Sequence, residues 1–182
     1  MKKVIIIGCP GSGKSTFARK LSATTGLPLY YLDMIWHLPD RTTLSREEFI
    51  SRLEKITAEG EWIIDGNYLH TMSIRLDHCD TVFFFDLPVR LCLEGAESRI
   101  GKEREDMPWS DNKLDEEFRQ WIVDFPTQQL PVIKKLLSDY RQKLNIIVFH
   151  SREEADDFIN LTNSLNQLTN ENRDAENKLN DK

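Results

Sequence analysis

Short, wholly apolar runs alternate along this chain with longer stretches in which apolar residues return every third or fourth position, the pattern of buried strands alternating with amphipathic helices. Val4-Ile5-Ile6-Ile7 is the first run. Its β-branched residues show no polar alternation, as expected of a strand covered on both faces. Phe17, Ala18 and Leu21 then mark a helix that Gly26 stops, and Leu29 to Leu32 reads as a second strand with Asp33 at its C-terminal edge. Ser45 and Glu48 form a capping box ahead of Phe49, Leu53 and Ile56, so a helix is expected to about Gly60. Trp62 to Ile64 is the third strand, ending in Asp65-Gly66-Asn67, and Val82-Phe83-Phe84-Phe85 is the centre of the fourth. Pro88 opens the next helix, where a missing N–H costs nothing. Leu114, Phe118, Trp121 or Ile122, and Phe125 carry a helical stripe that Pro126 is expected to interrupt before a second helix ending near Tyr140. Asn145 to Phe149 is the fifth strand, and Ser151 with Glu154 caps a last helix bearing Ala155, Phe158, Ile159 and Leu165. The pattern predicts a three-layer, mostly parallel α/β domain.

Three stretches break the pattern. Met34 to Thr43 has no clear period and reads as a loop over the sheet's carboxyl edge. The segment from about 99 to 113 is charged, with Gly101 and Pro108, and is a candidate mobile lid. From Asn163 onward the chain holds six asparagines and few apolar residues, so 1–162 reads as the domain and 163–182 as a frayed helix end or a disordered tail. No internal repeat is visible.

What lies between the first strand and the first helix gives the pattern its chemistry. Gly8-Cys9-Pro10-Gly11-Ser12-Gly13-Lys14-Ser15 matches G-x-x-x-x-G-K-S, the Walker A phosphate-binding loop, in the strand-to-helix context the motif requires. Its glycines let successive backbone N–H groups face one point, where a β-phosphate meets donors on most sides. The helix that follows adds its positive end. Gly8 to Thr16 is therefore the candidate ATP site, with Lys14 reaching the β- and γ-phosphates and the Ser15 hydroxyl on Mg2+.

Two carboxylates stand at strand ends, where ligands gather in open α/β sheets. Asp65 has the place of a Walker B acid holding Mg2+ through water, although Asp-Gly also makes a plain turn. Asp33 is a candidate to bind the phosphoryl acceptor or take its proton, or else it caps the next turn. Arg99 and Arg104, and less so Lys102, would neutralise charge on the transferred group if the lid closes, against the alternative of a solvated mixed-charge run. Arg75, Asn67 and Tyr68 face an acceptor, or Arg75 pairs with Asp77 or Asp80. Asn112-Lys113-Leu114-Asp115 matches a guanine-recognition motif, but no buried strand precedes it, and Asp111 or Asn112 is read as a helix N-cap. The four histidines show no metal spacing.

Charge and cysteine count narrow the reading. With 24 basic and 30 acidic residues the formal charge is −6, the wrong sign for neutralising many DNA phosphates, so strong direct nucleic-acid binding is not expected and any anion site must be local. Three widely spaced cysteines suggest neither a disulfide framework nor zinc, and a cytoplasmic setting is expected. No stretch is long enough to span a membrane. The oligomeric state stays open.

The phosphate loop, Tyr31-Leu32-Asp33, the stretch from Trp62 to Tyr68, Asp86-Leu87-Pro88 and the Leu114 helix start together resemble the adenylate-kinase-related P-loop proteins known as the DNA topology modulation (FlaR) family. The resemblance spans roughly residues 1 to 160. It implies a nucleoside-monophosphate-kinase-like fold with a five-stranded parallel sheet and a lid holding Arg99 and Arg104. It implies an ATP- and Mg2+-dependent kinase acting on a nucleotide, nucleoside or hydroxyl-bearing metabolite, with a regulatory ATPase acting on DNA topology through a partner as the alternative. The segment after His150 would border the base. The chain departs from adenylate kinases at Asp65-Gly66-Asn67-Tyr68, where those enzymes carry an arginine that grips the acceptor's phosphate.

Overall fold

The computed structural model describes the backbone of residues 1–180 and the side chains of residues 1–169. All five strands are parallel and lie in the order β2-β3-β1-β4-β5, with β1 (Lys3–Gly8) at the centre, flanked by β3 (Trp62–Asp65) and β4 (Thr81–Phe85). β2 (Leu29–Tyr31) and β5 (Asn145–Phe149) form the edges. The chain leaves β1 toward one edge and returns through β4 toward the other, so the switch point lies at β1's carboxyl end. Register sets the site's spacing, since Ile6 stands opposite Asp65 and Gly8 opposite Phe85.

The uninterrupted apolar runs are buried as strands covered on both sides must be, and the core joins them to Phe17 and Leu21 of α1 (Lys14–Thr25). Phe17 meets Phe83, Phe85 and Phe149 edge-on with ring centroids 4.8, 5.5 and 5.3 Å apart. The first helix is thereby fixed over β1, β4 and β5, and burial of such a ring contributes about 1.5–3 kcal/mol.

Several boundaries differ from the sequence expectation for identifiable reasons. β2 stops at Tyr31, and Leu32–Trp36 forms a short helix, α2, so Asp33 sits in a helical first turn. The stretch read as a loop after it is a tight hairpin closed by a His37–Thr43 bridge, with Arg41 in the left-handed region at φ 67°. α3 (Arg46–Ala58) begins as the capping box requires, with Ser45 accepting from the Glu48 N–H at 3.1 Å. Leu69–Thr71 is a single 3-10 turn leading into α4 (Met72–His78). α5 (Val89–Glu97) follows Pro88. Pro126 lies inside α6 (Glu116–Gln128), near its end, and the break falls instead before α7 (Leu130–Tyr140), whose first turn holds Pro131. The N-cap of α6 is Asp115, accepting from the Phe118 N–H at 3.0 Å, not Asp111 or Asn112. Asp111 is drawn elsewhere, because its carbonyl accepts from Gly101.

The last helix, α8 (Arg152–Asn180), continues through the region from Asn163, leaving Leu161, Leu165 and Leu168 exposed. No helix among the described residues is long and apolar enough to cross a membrane.

Candidate active site

The phosphate loop is held from three directions. Ser12 N–H donates to the Cys9 carbonyl at 3.2 Å, curling the backbone, and Gly13 enters α1 in the left-handed region. From α8, Arg152 donates to the carbonyls of Gly11 at 2.9 Å and Ser12 at 3.3 Å, and to Leu91 of α5 at 2.8 Å. From β3's exit, the Asn67 side chain accepts from the Gly8 N–H at 2.9 Å and donates to the Gly8 carbonyl at 2.6 Å, completing the pairing that a neighbouring strand would give. Gly11 lies directly against the backbone of Cys92 and Ala96 in α5.

Above this loop is a cleft of about 430 Å³. Lys14, Ser15 and Thr16 form its floor, Arg19 and Lys20 one side, and the irregular segment between α5 and α6 its roof. Seven basic side chains (Lys14, Arg19, Lys20, Arg99, Lys102, Arg104 and Arg152) line it against four acidic ones (Glu103, Glu105, Asp106 and Asp156), so a chain of net charge −6 carries here a locally positive site suited to a polyanion.

Arg99 and Arg104 are both at this cleft, but Arg104 is not a free cation. Its Nε and terminal nitrogen donate to the two oxygens of Asp106 at 3.0 and 2.9 Å, a bidentate and nearly buried pair. Burial works against charge on Asp106, yet the hydrogen bonds and charge of Arg104, with Ser15 and Arg99 behind them, hold its carboxyl down at about 2. The alternating acidic and basic residues of this segment give no local sign of which would pair. Burial, then the Arg104 charge, pulls Arg99 below its ordinary value, and Arg99's own guanidinium donates to the Gly95 carbonyl at 3.2 Å.

Asp65 ends β3 beside Ser15, 5% exposed, and its Oδ1 is buried without a hydrogen-bond partner. Burial pushes this carboxyl up to about 6, with Lys14 and Ser15 offsetting part of the rise. An orphaned carboxylate oxygen next to a serine hydroxyl fits a hydrated cation. Among the described residues no three His, Cys, Asp or Glu side chains converge as a complete metal site. A magnesium ion would therefore take Ser15 directly, Asp65 through water and its other ligands from phosphate. In the apo protein the raised value has a definite sign. Between pH 4 and 6 the folded chain keeps a proton that the unfolded chain has released, so this group's contribution to stability falls as pH rises through that window. The size is roughly 3 kcal/mol at most, from about two pH units at 1.36 kcal/mol each. Asp65→Asn should accordingly equal the wild type near pH 4 and exceed it at pH 7, as read from urea midpoints. Parallel pH curves for the two proteins would mean that Asp65 is solvated.

Asp33 lies just beyond the end of β2, the strand beside β3, and its Oδ1 accepts from the Tyr68 hydroxyl at 2.8 Å. Arg75 is not at the surface and pairs with neither Asp77 nor Asp80. It is fully buried and donates to the carbonyls of Gly66 at 2.6 Å, Tyr68 at 3.2 Å and, in a shorter contact, Asn67. Tyr68 itself is in the left-handed region, a conformation that costs a residue with a side chain about 1–2 kcal/mol. The hairpin after α2 touches the roof of the cleft: His37 meets Trp109 edge-on at 5.1 Å, and the Arg41 guanidinium lies 5.3 Å from the Trp109 ring centroid.

Arg152, Asn67 as a phosphate-loop anchor, and Asp106 are the residues that sequence reasoning missed. Arg152 and Asn67 work through contacts across scores of residues, for which no local pattern exists, whereas Asp106 pairs with Arg104 two positions away in a mixed-charge run that does not single out a partner.

No family model matches the chain, and no curated protein does. Among solved structures it is similar to a gluconokinase from Sinorhizobium meliloti 1021, at 12% identity and TM-score 0.56 over 96% of this chain and 97% of that one. It is also similar to a shikimate kinase from Bacteroides thetaiotaomicron, at 14% identity and TM-score 0.55 over 90% of this chain and 97% of that one. At these identities the likeness concerns the fold. The chain thus has the three-layer α/β fold of the nucleoside-monophosphate-kinase-like P-loop proteins, a broader placement than the topology modulation family that its motifs resemble.

Proposed function

We propose that this protein is a MgATP-dependent phosphotransferase acting on a small hydroxyl-bearing molecule. The observation that carries the reading is the convergence, at one sheet edge, of an intact phosphate loop, an excess of basic side chains and two carboxylates on separate strand exits. Gly8 to Thr16 would bind the nucleotide's phosphates through backbone N–H groups, and Lys14 would follow charge toward the leaving phosphate. Ser15 and Asp65 would hold magnesium, which when bound would supply charge neutralisation at the nucleotide's phosphates. Arg99 and the Arg104–Asp106 pair would close from the segment 99–113, and Asp33 would orient the acceptor. Catalysis would consist of positioning and charge stabilisation within the cleft. The two similar solved structures, by their names kinases of small hydroxylated acids, support phosphoryl transfer to a hydroxyl as the reaction class.

The finer resemblance to the topology modulation family fits this reading without requiring contact with DNA. The net charge of −6 disfavours that contact. The test is ADP release from MgATP across a panel of acceptors. A clear rise with one metabolite class supports the proposal, and a rise only with DNA or a protein partner would replace it with the regulatory reading.

Arg152 gives a second handle. Arg152→Ala should weaken MgATP binding roughly tenfold, about 1.4 kcal/mol, because the two carbonyl contacts that hold the loop, to Gly11 and Ser12, are lost together with the one that ties it to Leu91 of α5. Arg152→Lys should recover little, since an ammonium lacks the planar fork that spans these carbonyls. Titration by calorimetry checks this, and wild-type affinity in Arg152→Ala would make the contacts incidental.

A further inference from the structure

The loop after β3 is anchored at three points, each in a different part of the site. Asn67 holds Gly8, where the phosphate loop begins. Arg75, buried, gathers the successive carbonyls of Gly66, Asn67 and Tyr68 onto one guanidinium. Tyr68 delivers its hydroxyl to Asp33. The Tyr68 backbone, at φ 39° and ψ 68°, is one that a bulky residue adopts only where its surroundings impose it, and the Arg75 clamp is what imposes it here. Its ring is wedged between Trp36 and Phe49, with centroids 6.1 and 5.1 Å away. A phenylalanine would fill that space equally well. The hydroxyl therefore has a use apart from packing, and its hydrogen bond is to Asp33.

Because the phenol donates, Asp33 accepts with Oδ1, which fixes the plane of the carboxylate and leaves Oδ2 for a second donor. We propose that Tyr68 is the positioning residue of the acceptor site: through Asp33 it orients the hydroxyl of an uncharged acceptor, and Arg75 is the strut that keeps it in place. The inference rests on the phosphotransferase reading above. A phosphate or carboxylate presented to Oδ2 would meet like charge. Arg75 cannot relieve that repulsion, being turned onto carbonyls, and Arg104 is engaged by Asp106. An uncharged polyol or a nucleoside fits, and a nucleoside monophosphate presenting its phosphate does not.

The experiment measures ADP release from MgATP by the full chain with water alone, glycerol, adenosine or AMP as acceptor. It uses wild type, Tyr68→Phe, Asp33→Ala and the double variant. The expected result is faster release with glycerol or adenosine than with water, and none gained from AMP. Tyr68→Phe should lower kcat roughly tenfold, the worth of one charge-assisted hydrogen bond, while the KM for ATP stays within about twofold. Asp33→Ala should lose at least as much, and the double variant no more than Asp33→Ala alone, because Tyr68 acts through Asp33. Losses that multiply in the double variant, or a Tyr68→Phe protein with wild-type kcat, would overturn the positioning role. Stimulation by AMP above the uncharged probes would overturn the acceptor class. Failure of the underlying reading looks different: wild type and Lys14→Ala would then release ADP equally slowly under every condition.

Discussion

Lys14→Ala should lower phosphoryl transfer by roughly 100- to 1,000-fold, about 3–4 kcal/mol of transition-state stabilisation, with the fold intact. The side chain leaves the floor of the cleft, where it neighbours Asp65, and contributes nothing to the buried core. Its ammonium is a flexible point charge on the first turn of α1, able to follow negative charge as this shifts toward the leaving phosphate, which the fixed loop N–H groups cannot do. The loss should therefore appear mostly in kcat. Steady-state kinetics beside a melting curve make the comparison, and a well-folded Lys14→Ala protein with undiminished turnover would remove the loop from the chemistry.

Gly11→Ala should act on structure instead, and more severely than replacement of any surface glycine. A β-carbon there would lie 1.9 Å from the Cys92 carbonyl oxygen and 2.7 Å from the Ala96 nitrogen, both backbone atoms of α5 that cannot swing aside. Its φ of +79° adds the left-handed penalty. Together these should cost about 3 kcal/mol or more and lower the melting temperature by roughly 10 °C in a chain of this size. Gly26→Ala separates the two causes. Gly26 has a similar φ of +74° but nothing within 4 Å of a β-carbon, so it should lose only about 1 kcal/mol. Equal losses at the two glycines would show that α5 yields to the loop.

Much of the architecture was legible because it follows from periodicity. Val4 to Ile7 and Val82 to Phe85 admit little except doubly covered strands, and Ser45 and Ser151 mark helix starts through local hydrogen bonds. Ser151 indeed accepts from the Glu154 N–H at 3.1 Å. The misplacements arose where a long-range contact outweighed a local signal. Asp111 has the chemistry of an N-cap, yet its segment is held by Gly101, so Asp115 takes the role. Pro126 has the chemistry of a helix breaker, but it falls close enough to the helix end to be accommodated.

In the site the division is similar. The phosphate loop is contiguous and could be read directly. Asp33 and Asp65 were legible as residues at strand exits, and the structure places Asp65 at the end of β3 and Asp33 just beyond the end of the neighbouring β2. Arg75 was visible only as a charge near a strand end, and nothing in its neighbours foretold a fully buried guanidinium shared among three carbonyls. Arg152 reaches the phosphate loop across 141 positions of sequence. Pairings at such separation are set by topology, which a single sequence reveals only through its element order.

The central claim is that the γ-phosphate of ATP moves to a hydroxyl bound beside Asp33. The most direct measurement follows labelled γ-phosphate from MgATP in the presence of a pool of uncharged hydroxylated metabolites, with Asp33→Ala as the comparison. The account predicts label in a phosphorylated small molecule for the wild type and at least a tenfold loss of that product in Asp33→Ala, the size of one charge-assisted hydrogen bond or more. Label recovered only as inorganic phosphate, at the same rate in both proteins, would contradict it.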